Sequence, residues 1–228
     1  MYDFDHDLFL ALNFDGGPTV DRIMFTISGT TMWIPLYLLI LWMVWRRGGW
    51  RDTLLFFVLM VGAIVLSDML CGMFKANGVM GELLPDFQPR WRPMFTPELE
   101  GLAITPDSLY VIRQTGMAGD WAVHVPVKAV AGHYGTVSAH AATIVTLAVL
   151  SCAAIRRRWF TALMVVSTVA ICYSRIYLGK HFPMDLVWGA LVGGILGYAA
   201  WRIFRHFGST ANGEPKSDRP YIKPDNNL

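Results

Sequence analysis

The chain is 228 residues long, which bounds it to one domain or two. Hydrophobic residues make up 54% and charged residues 16%, against about 25% charged in an ordinary soluble domain. A soluble enzyme and widespread disorder are therefore excluded, and a formal net charge of +2 does not support a nucleic-acid binder.

The first element, Met1 to Asp15, is acidic (Asp3, Asp5, Asp7, Asp15). A cleaved secretory signal would open with positive charge, so none is expected. As a helix this segment puts Phe4, Leu8, Phe9 and Leu12 on one face and Asp3, His6 and Asp7 on the other, the pattern of a short interfacial helix. Five apolar runs follow. Residues 23–45 carry no charge, 53–74 carry only Asp68, 134–155 carry only His140, 159–174 are uncharged up to Arg175, and 186–201 are uncharged. A bilayer core of about 30 Å takes roughly 20 apolar residues as a helix. The expected fold is thus an all-α integral membrane bundle of about five transmembrane helices. A long extracytoplasmic loop, residues 76–133, separates the second span from the third. Residues 1–207 form the membrane domain, and 208–228, rich in Asn, Pro, Asp and Lys, form a disordered tail. Cys71, Cys152 and Cys172 lie in apolar runs with no paired spacing and read as small core residues.

Basic residues set the orientation. Arg46, Arg47 and Arg51 follow the first span, Arg156 to Arg158 the third, and Arg202 and Arg205 the fifth. All three groups belong on one side, expected to be cytoplasmic with the C-terminus. The N-terminus, the long loop and the turn around 175–185 then face outward. Gly189, Gly193 and Gly197 recur every four residues in the last span, where small residues let a neighbouring helix approach closely. Packing inside the bundle and a homodimer seam are both open readings.

Ionisable groups beside a span are costly and mark functional sites. Here Asp68, Lys75, Ser138, His140, Arg175, His181 and Asp185 gather at the outer mouths of the spans. Singly, each has a structural reading. His140 could cap a helix, Arg175 and Lys180 could anchor span ends, and Asp185 could complement a helix dipole. Together they describe chemistry. His181 and Asp185, four apart, share a helix face, and a carboxylate bound to one imidazole nitrogen frees the other to attack. The Arg175 guanidinium suits a phosphoryl group, and His140 lies at an anion-favouring helix start. Hard cations need more carboxylates than this set offers, so neither metal nor cofactor is expected.

The string Ser174-Arg175, five residues, His181, three residues, Asp185 resembles the third motif of the type 2 phosphatidic acid phosphatase superfamily, whose members are related to vanadium haloperoxidases. All four fixed positions match. Val137-Ser138-Ala139-His140 resembles the second motif, Pro-Ser-Gly-His, with Ser and His kept. Arg92-Pro93 resembles the end of the first, Lys-x6-Arg-Pro. Lys75 is the natural lysine of that motif but lies 17 residues before Arg92 (92 − 75). Either the loop carries an insertion, or Lys75 has lost its role and Arg90 shares phosphate binding.

The resemblance implies a metal-independent membrane lipid phosphatase. His181 becomes a phosphohistidine, Asp185 orients it, and His140 serves as general acid and then base. Lys75, Arg92, Ser138 and Arg175 hold the phosphate. An outward site implies a lipid phosphate or pyrophosphate of the outer leaflet of a bacterial inner or plasma membrane. Undecaprenyl pyrophosphate or a lipid A phosphate is favoured over phosphatidic acid or phosphatidylglycerol phosphate. The alternatives are a membrane protein that binds lipid phosphate without turnover, a soluble haloperoxidase, against which the spans argue, and a transporter, which would carry midplane charges and repeats. Trp121, His124, Lys128 and His133 in the 94–133 segment are candidates for a lid or headgroup-selecting cap.

Overall fold

A computed structural model of the chain describes residues 2–75, 79–84, 86–116 and 120–208. The expected disordered tail, from 209 onward, lies outside the described residues. Eight α-helices occur among those described: α1 Tyr2–Leu12, α2 Gly17–Ser28, α3 Ile34–Met73, α4 Val79–Leu83, α5 Pro106–Gln114, α6 Ala139–Ile155, α7 Arg158–Tyr177 and α8 Pro183–Phe207.

The 40 residues of α3 are two passes rather than one. Gly49 sits at φ +72°, ψ −170° and reverses the chain, a conformation open to glycine at little cost. Beside it, a Cβ on Gly48 would lie 2.2 Å from Asp52 Oδ2, so a second glycine is needed for the tight hairpin. The arms then face each other: Leu36, Ile40 and Val44 of the first pack in one core with Phe56, Met60 and Ala63 of the second. With α6, α7 and α8 this makes five apolar passes. Thr31–Met73, α7 and α8 are long and apolar enough to cross a membrane, and α6 is a shorter apolar helix. Large apolar side chains on their outer faces, among them Val58, Val61, Val165, Val169, Leu191 and Ile195, are exposed, as helices bathed in lipid require.

The first pass starts later than its uncharged run suggests. Residues 23–28 belong to α2, which ends at Gly29 in an extended conformation (φ −81°, ψ 141°), and the pass begins after a short 3-10 turn, Thr31–Trp33. Absence of charge carries no directional information, and Gly29 is where the chain turns. The N-terminal helix is present, but its inner face differs from the expected one. Phe9 is buried as expected, whereas Phe4 is exposed and Asp5 is buried. The contacts of Asp5 with Arg90 and with Met184 N outweigh the apolar pattern.

α6 is the central post. Gly189, Gly193 and Gly197 of α8 are buried against it, and a Cβ there would lie 2.3 Å, 2.2 Å and 2.7 Å from the carbonyl oxygens of Ser138, Ala142 and Thr146. The glycine stripe is therefore an intramolecular seam, and α6 covers the face that a homodimer through these residues would need. Thr146 Oγ1 donates to Gly193 O (3.1 Å) and lies 3.1 Å from Ser67 Oγ, tying α3, α6 and α8 at mid-depth. At one end, Arg47 in the α3 hairpin donates to the carbonyls of Ala154 and Ile155 at the close of α6, so two of the basic clusters share that end. The three cysteines are free thiols.

At the other end the loop segments are stitched together. Residues 90–92 run against 133–135, with Arg92 N donating to His133 O (3.0 Å), Gly135 N to Arg90 O (2.9 Å), and a bridge between Trp91 and Tyr134. Met94 N reaches Gly179 O at 3.1 Å. Asn13, just after α1, donates to the carbonyls of His124, Ile176 and Tyr177. These bonds bring the N-terminus, the long loop and the α7–α8 turn into one cap.

Candidate active site

The cap holds the chemistry-bearing side chains over the adjacent starts of α6 and α8. Ser138 is the N-cap of α6, its Oγ accepting from Ala141 N (3.4 Å), and its own N–H donates to Asp185 O (3.1 Å). That bond joins the second and third motifs through their backbones. Pro183 at the first position of α8 fixes its start, and Asp185 Oδ2 accepts from Phe182 N at 3.0 Å.

His181 is 4% exposed. Its Nδ1 lies 2.9 Å from Gly135 O. A carbonyl only accepts, so Nδ1 carries the proton and Nε2 keeps its lone pair. Asp185 Oδ2 stands 3.6 Å from the same Nδ1. The carboxylate thus backs the ring electrostatically, while the Gly135 carbonyl fixes the tautomer that the spacing alone assigned to Asp185. Burial, with Arg175 and Arg92 nearby, holds the His181 pKa well below its usual value, so the imidazole is neutral and nucleophilic at neutral pH.

Four cations converge. Arg175 is 5% exposed, and its guanidinium donates to Ser28 Oγ on α2. Its Nε is buried with no hydrogen-bond partner among the described residues, which leaves a donor for an anion. Arg92 is held by the carbonyls of Ala131 and Tyr134 (Nε to Tyr134 O 3.2 Å). Arg175, Lys180, Arg92 and Lys75 all act electrostatically on His140, which is exposed at the start of α6. Lys75 itself is exposed just past α3. Arg90 is elsewhere: it pairs with Asp5 (2.5 Å) and with Asp185 Oδ1 (3.5 Å), behind the imidazole. Arg90 is thus engaged by two carboxylates.

Side chains of the long loop contact both the loop and the helices beside it. Arg113 pairs with Glu100 at 2.5 Å and packs under Trp121. His124 Nε2 is 2.8 Å from Asp21 Oδ1, which also accepts from the Tyr177 hydroxyl (2.6 Å). His133 stacks on Tyr110.

Sequence reasoning missed three groups. Gly135 carries no side chain to notice. Asp5 breaks the amphipathic pattern of α1 and is buried. Lys180, read as an anchor, joins the cation cluster, and burial beside Arg175 and Arg92 pulls its pKa from 10.5 down to about 8. It is therefore charged below that pH and neutral above it. A phosphomonoester is already dianionic above about pH 7, so Lys180 should govern a loss of anion affinity on the alkaline side. Raising the pH from 7 to 9 is expected to increase KM several-fold, and Lys180→Arg, charged throughout, should flatten that rise. An unchanged alkaline KM profile in Lys180→Arg would assign the effect elsewhere.

Beside His140 opens an apolar cleft of about 530 Å³ between α2, α3, α6 and α7, walled by Trp33, Tyr37, Met60, Ile64, Ile144 and Ile171. A charged headgroup pocket and an apolar slot therefore adjoin.

Comparison with known proteins identifies the family. The model of the PAP2 superfamily matches residues 66–209. A lipid A 4'-phosphatase of Bacteroides thetaiotaomicron is 29% identical over 198 residues, covering 87% of this chain and 76% of that protein. A lipid A 4'-phosphatase of Porphyromonas gingivalis is 24% identical over 204 residues, covering 90% and 74%. No solved structure matches.

Proposed function

Because the chain belongs to the PAP2 superfamily and is a metal-independent membrane phosphatase, we propose that it removes a phosphate from a lipid A-type headgroup through a phosphohistidine on His181. The observation that carries this reading is the His181 imidazole, neutral, with Nδ1–H tied to Gly135 O and Nε2 free to attack. The names of both relatives support the lipid A headgroup, and the apolar cleft beside His140 suits an acyl chain left in the bilayer.

In the first step Nε2 of His181 attacks phosphorus. The N–P bond forms as the P–O bond to the sugar breaks, and His140 gives its proton to the leaving alkoxide. Asp185, 3.6 Å from Nδ1, stabilises the positive charge that the ring acquires. In the second step His140 takes a proton from water, the oxygen attacks phosphorus, and the N–P bond breaks. Arg175, Arg92, Lys180 and Lys75 offset the charge on the equatorial oxygens. Ser138 serves by holding the α6 N-terminus, where backbone N–H groups favour an anion. Basic clusters at the opposite end of the bundle support an outward-facing site and a cytoplasmic C-terminus.

The test is phosphate release by purified protein in detergent with EDTA present. The panel is a lipid A 1,4'-bisphosphate, undecaprenyl pyrophosphate, phosphatidic acid and phosphatidylglycerol phosphate. Release from the 4' position, insensitive to EDTA and blocked by vanadate, is expected. Preferential release from undecaprenyl pyrophosphate would replace the substrate, and release from none would favour a lipid-phosphate binder.

A further inference from the structure

Behind the nucleophile, three charged groups in successive contact lead from His181 back to a helix outside the PAP2-matched segment. Asp5 of α1 lies 2.5 Å from Arg90. The same guanidinium lies 3.5 Å from Asp185 Oδ1, and Asp185 Oδ2 lies 3.6 Å from His181 Nδ1. The other Asp5 oxygen accepts from Met184 N (3.0 Å), in the first turn of α8. All three charged side chains are largely buried: Asp5 and Asp185 expose 3% and 2% of their side chains and Arg90 exposes 15%. Phe182, next to His181, is held by α1 and by Arg90. His6 stacks on it (4.9 Å), Phe9 meets its edge, and the Arg90 guanidinium lies 3.6 Å from its ring centre.

We propose that Asp5 and Arg90 are positioning residues for phosphoryl transfer, which favour the ionised Asp185 carboxylate behind His181. The inference rests on the reading of His181 as the phosphoryl acceptor. Burial disfavours a charged carboxylate, and a compensating cation offsets that cost; Arg90 is such a cation, 3.5 Å from Asp185 Oδ1. Asp5 holds the same guanidinium from the far side. The carboxylate then faces the nitrogen whose ring becomes positive when the N–P bond forms, an arrangement that stabilises the transition state. Arg92 also acts on Asp185, from the phosphate side, and the neutral imidazole of His181 stands on the same turn. His6 on α1 lies in the field of Arg90 and Asp5, and His140 on α6 acts on His181.

A double-variant comparison gives the test. Asp5→Asn keeps the acceptor for Met184 N but frees the guanidinium from its far-side carboxylate. It is expected to lower kcat about tenfold with KM within about threefold. Arg90→Gln removes the cation beside Asp185 and should be at least as slow, and adding Asp5→Asn to it should change kcat little further, because Asp5 acts through Arg90. Wild-type kcat in Asp5→Asn, or a double variant much slower than Arg90→Gln alone, would overturn the proposal. Should Asp5→Asn fail to fold, Arg90→Lys decides: it keeps the charge and loses the fork, so its kcat should stay within about threefold of wild type. A loss as deep as in Arg90→Gln would make the role one of shape and overturn the inference. His181→Ala is measured alongside. Turnover in that variant would defeat the nucleophile reading itself, whereas an inactive His181→Ala with a fully active Asp5→Asn defeats this inference alone.

Discussion

His181→Ala is expected to reduce phosphate release by at least about 10³-fold, the scale seen when a covalent nucleophile is removed. The side chain is buried and its carbonyl partner belongs to the backbone, so truncation should leave the surrounding cap in place. Melting temperature should move little while activity vanishes. His140→Ala isolates the second role. Nε2 of His181 remains able to attack, so phosphoprotein should form slowly and persist, because neither the leaving alkoxide nor the attacking water has its proton partner. Brief exposure to labelled substrate followed by an alkaline quench should trap label in His140→Ala and none in His181→Ala. Label in His181→Ala would move the nucleophile to another side chain.

The second large effect concerns packing. Gly193→Ala would place a methyl 2.2 Å from Ala142 O and 2.9 Å from its carbonyl carbon, a backbone wall that has no rotamer to move aside. α6 and α8 would have to separate, at a cost of about 1–3 kcal/mol for one added carbon. Because α6 carries His140 and α8 follows His181, activity should fall with stability. The adjacent Gly194 is the control: nothing lies within 4 Å of its would-be Cβ, so Gly194→Ala should be neutral or slightly stabilising, as alanine outranks glycine in a helix. Thermal unfolding in detergent separates the two, and equal melting temperatures would show that the glycine seam is looser than these distances require.

How much of this was legible in the residues differs by level. The passes were readable because the bilayer imposes length and apolarity on each stretch directly. The third motif was readable because His181 and Asp185 meet through local helical spacing. What stayed hidden depends on distant partners. The first pass was misplaced because Gly29 turns the chain inside an uncharged run. Asp5 broke an apolar pattern, and its reason is Arg90, 85 residues away. Gly135 contributes a carbonyl, which composition cannot reveal. The glycine stripe was legible as a close-contact face, but which helix it meets is a matter of tertiary assembly. Lys75 remains the least placed of the first-motif groups, exposed past the end of α3 with only its charge reaching His140.

α6 has 17 residues, a rise of about 26 Å, against a hydrocarbon thickness of about 30 Å. The post around which the other passes gather is thus a few ångströms short, and both of its ends are pinned, by Ser138 to α8 and by Arg47 to the hairpin. The helices that face lipid are longer, 20 residues in α7 and 25 in α8, so they match the bilayer while α6 falls short of its surface. The α6 N-terminus, and His140 with it, is thereby recessed, and a lipid phosphate has to sink to reach it while its chains stay immersed. That distance grows with bilayer thickness. Turnover should accordingly favour thin bilayers over thick ones, making acyl length in the host membrane a determinant of rate in its own right.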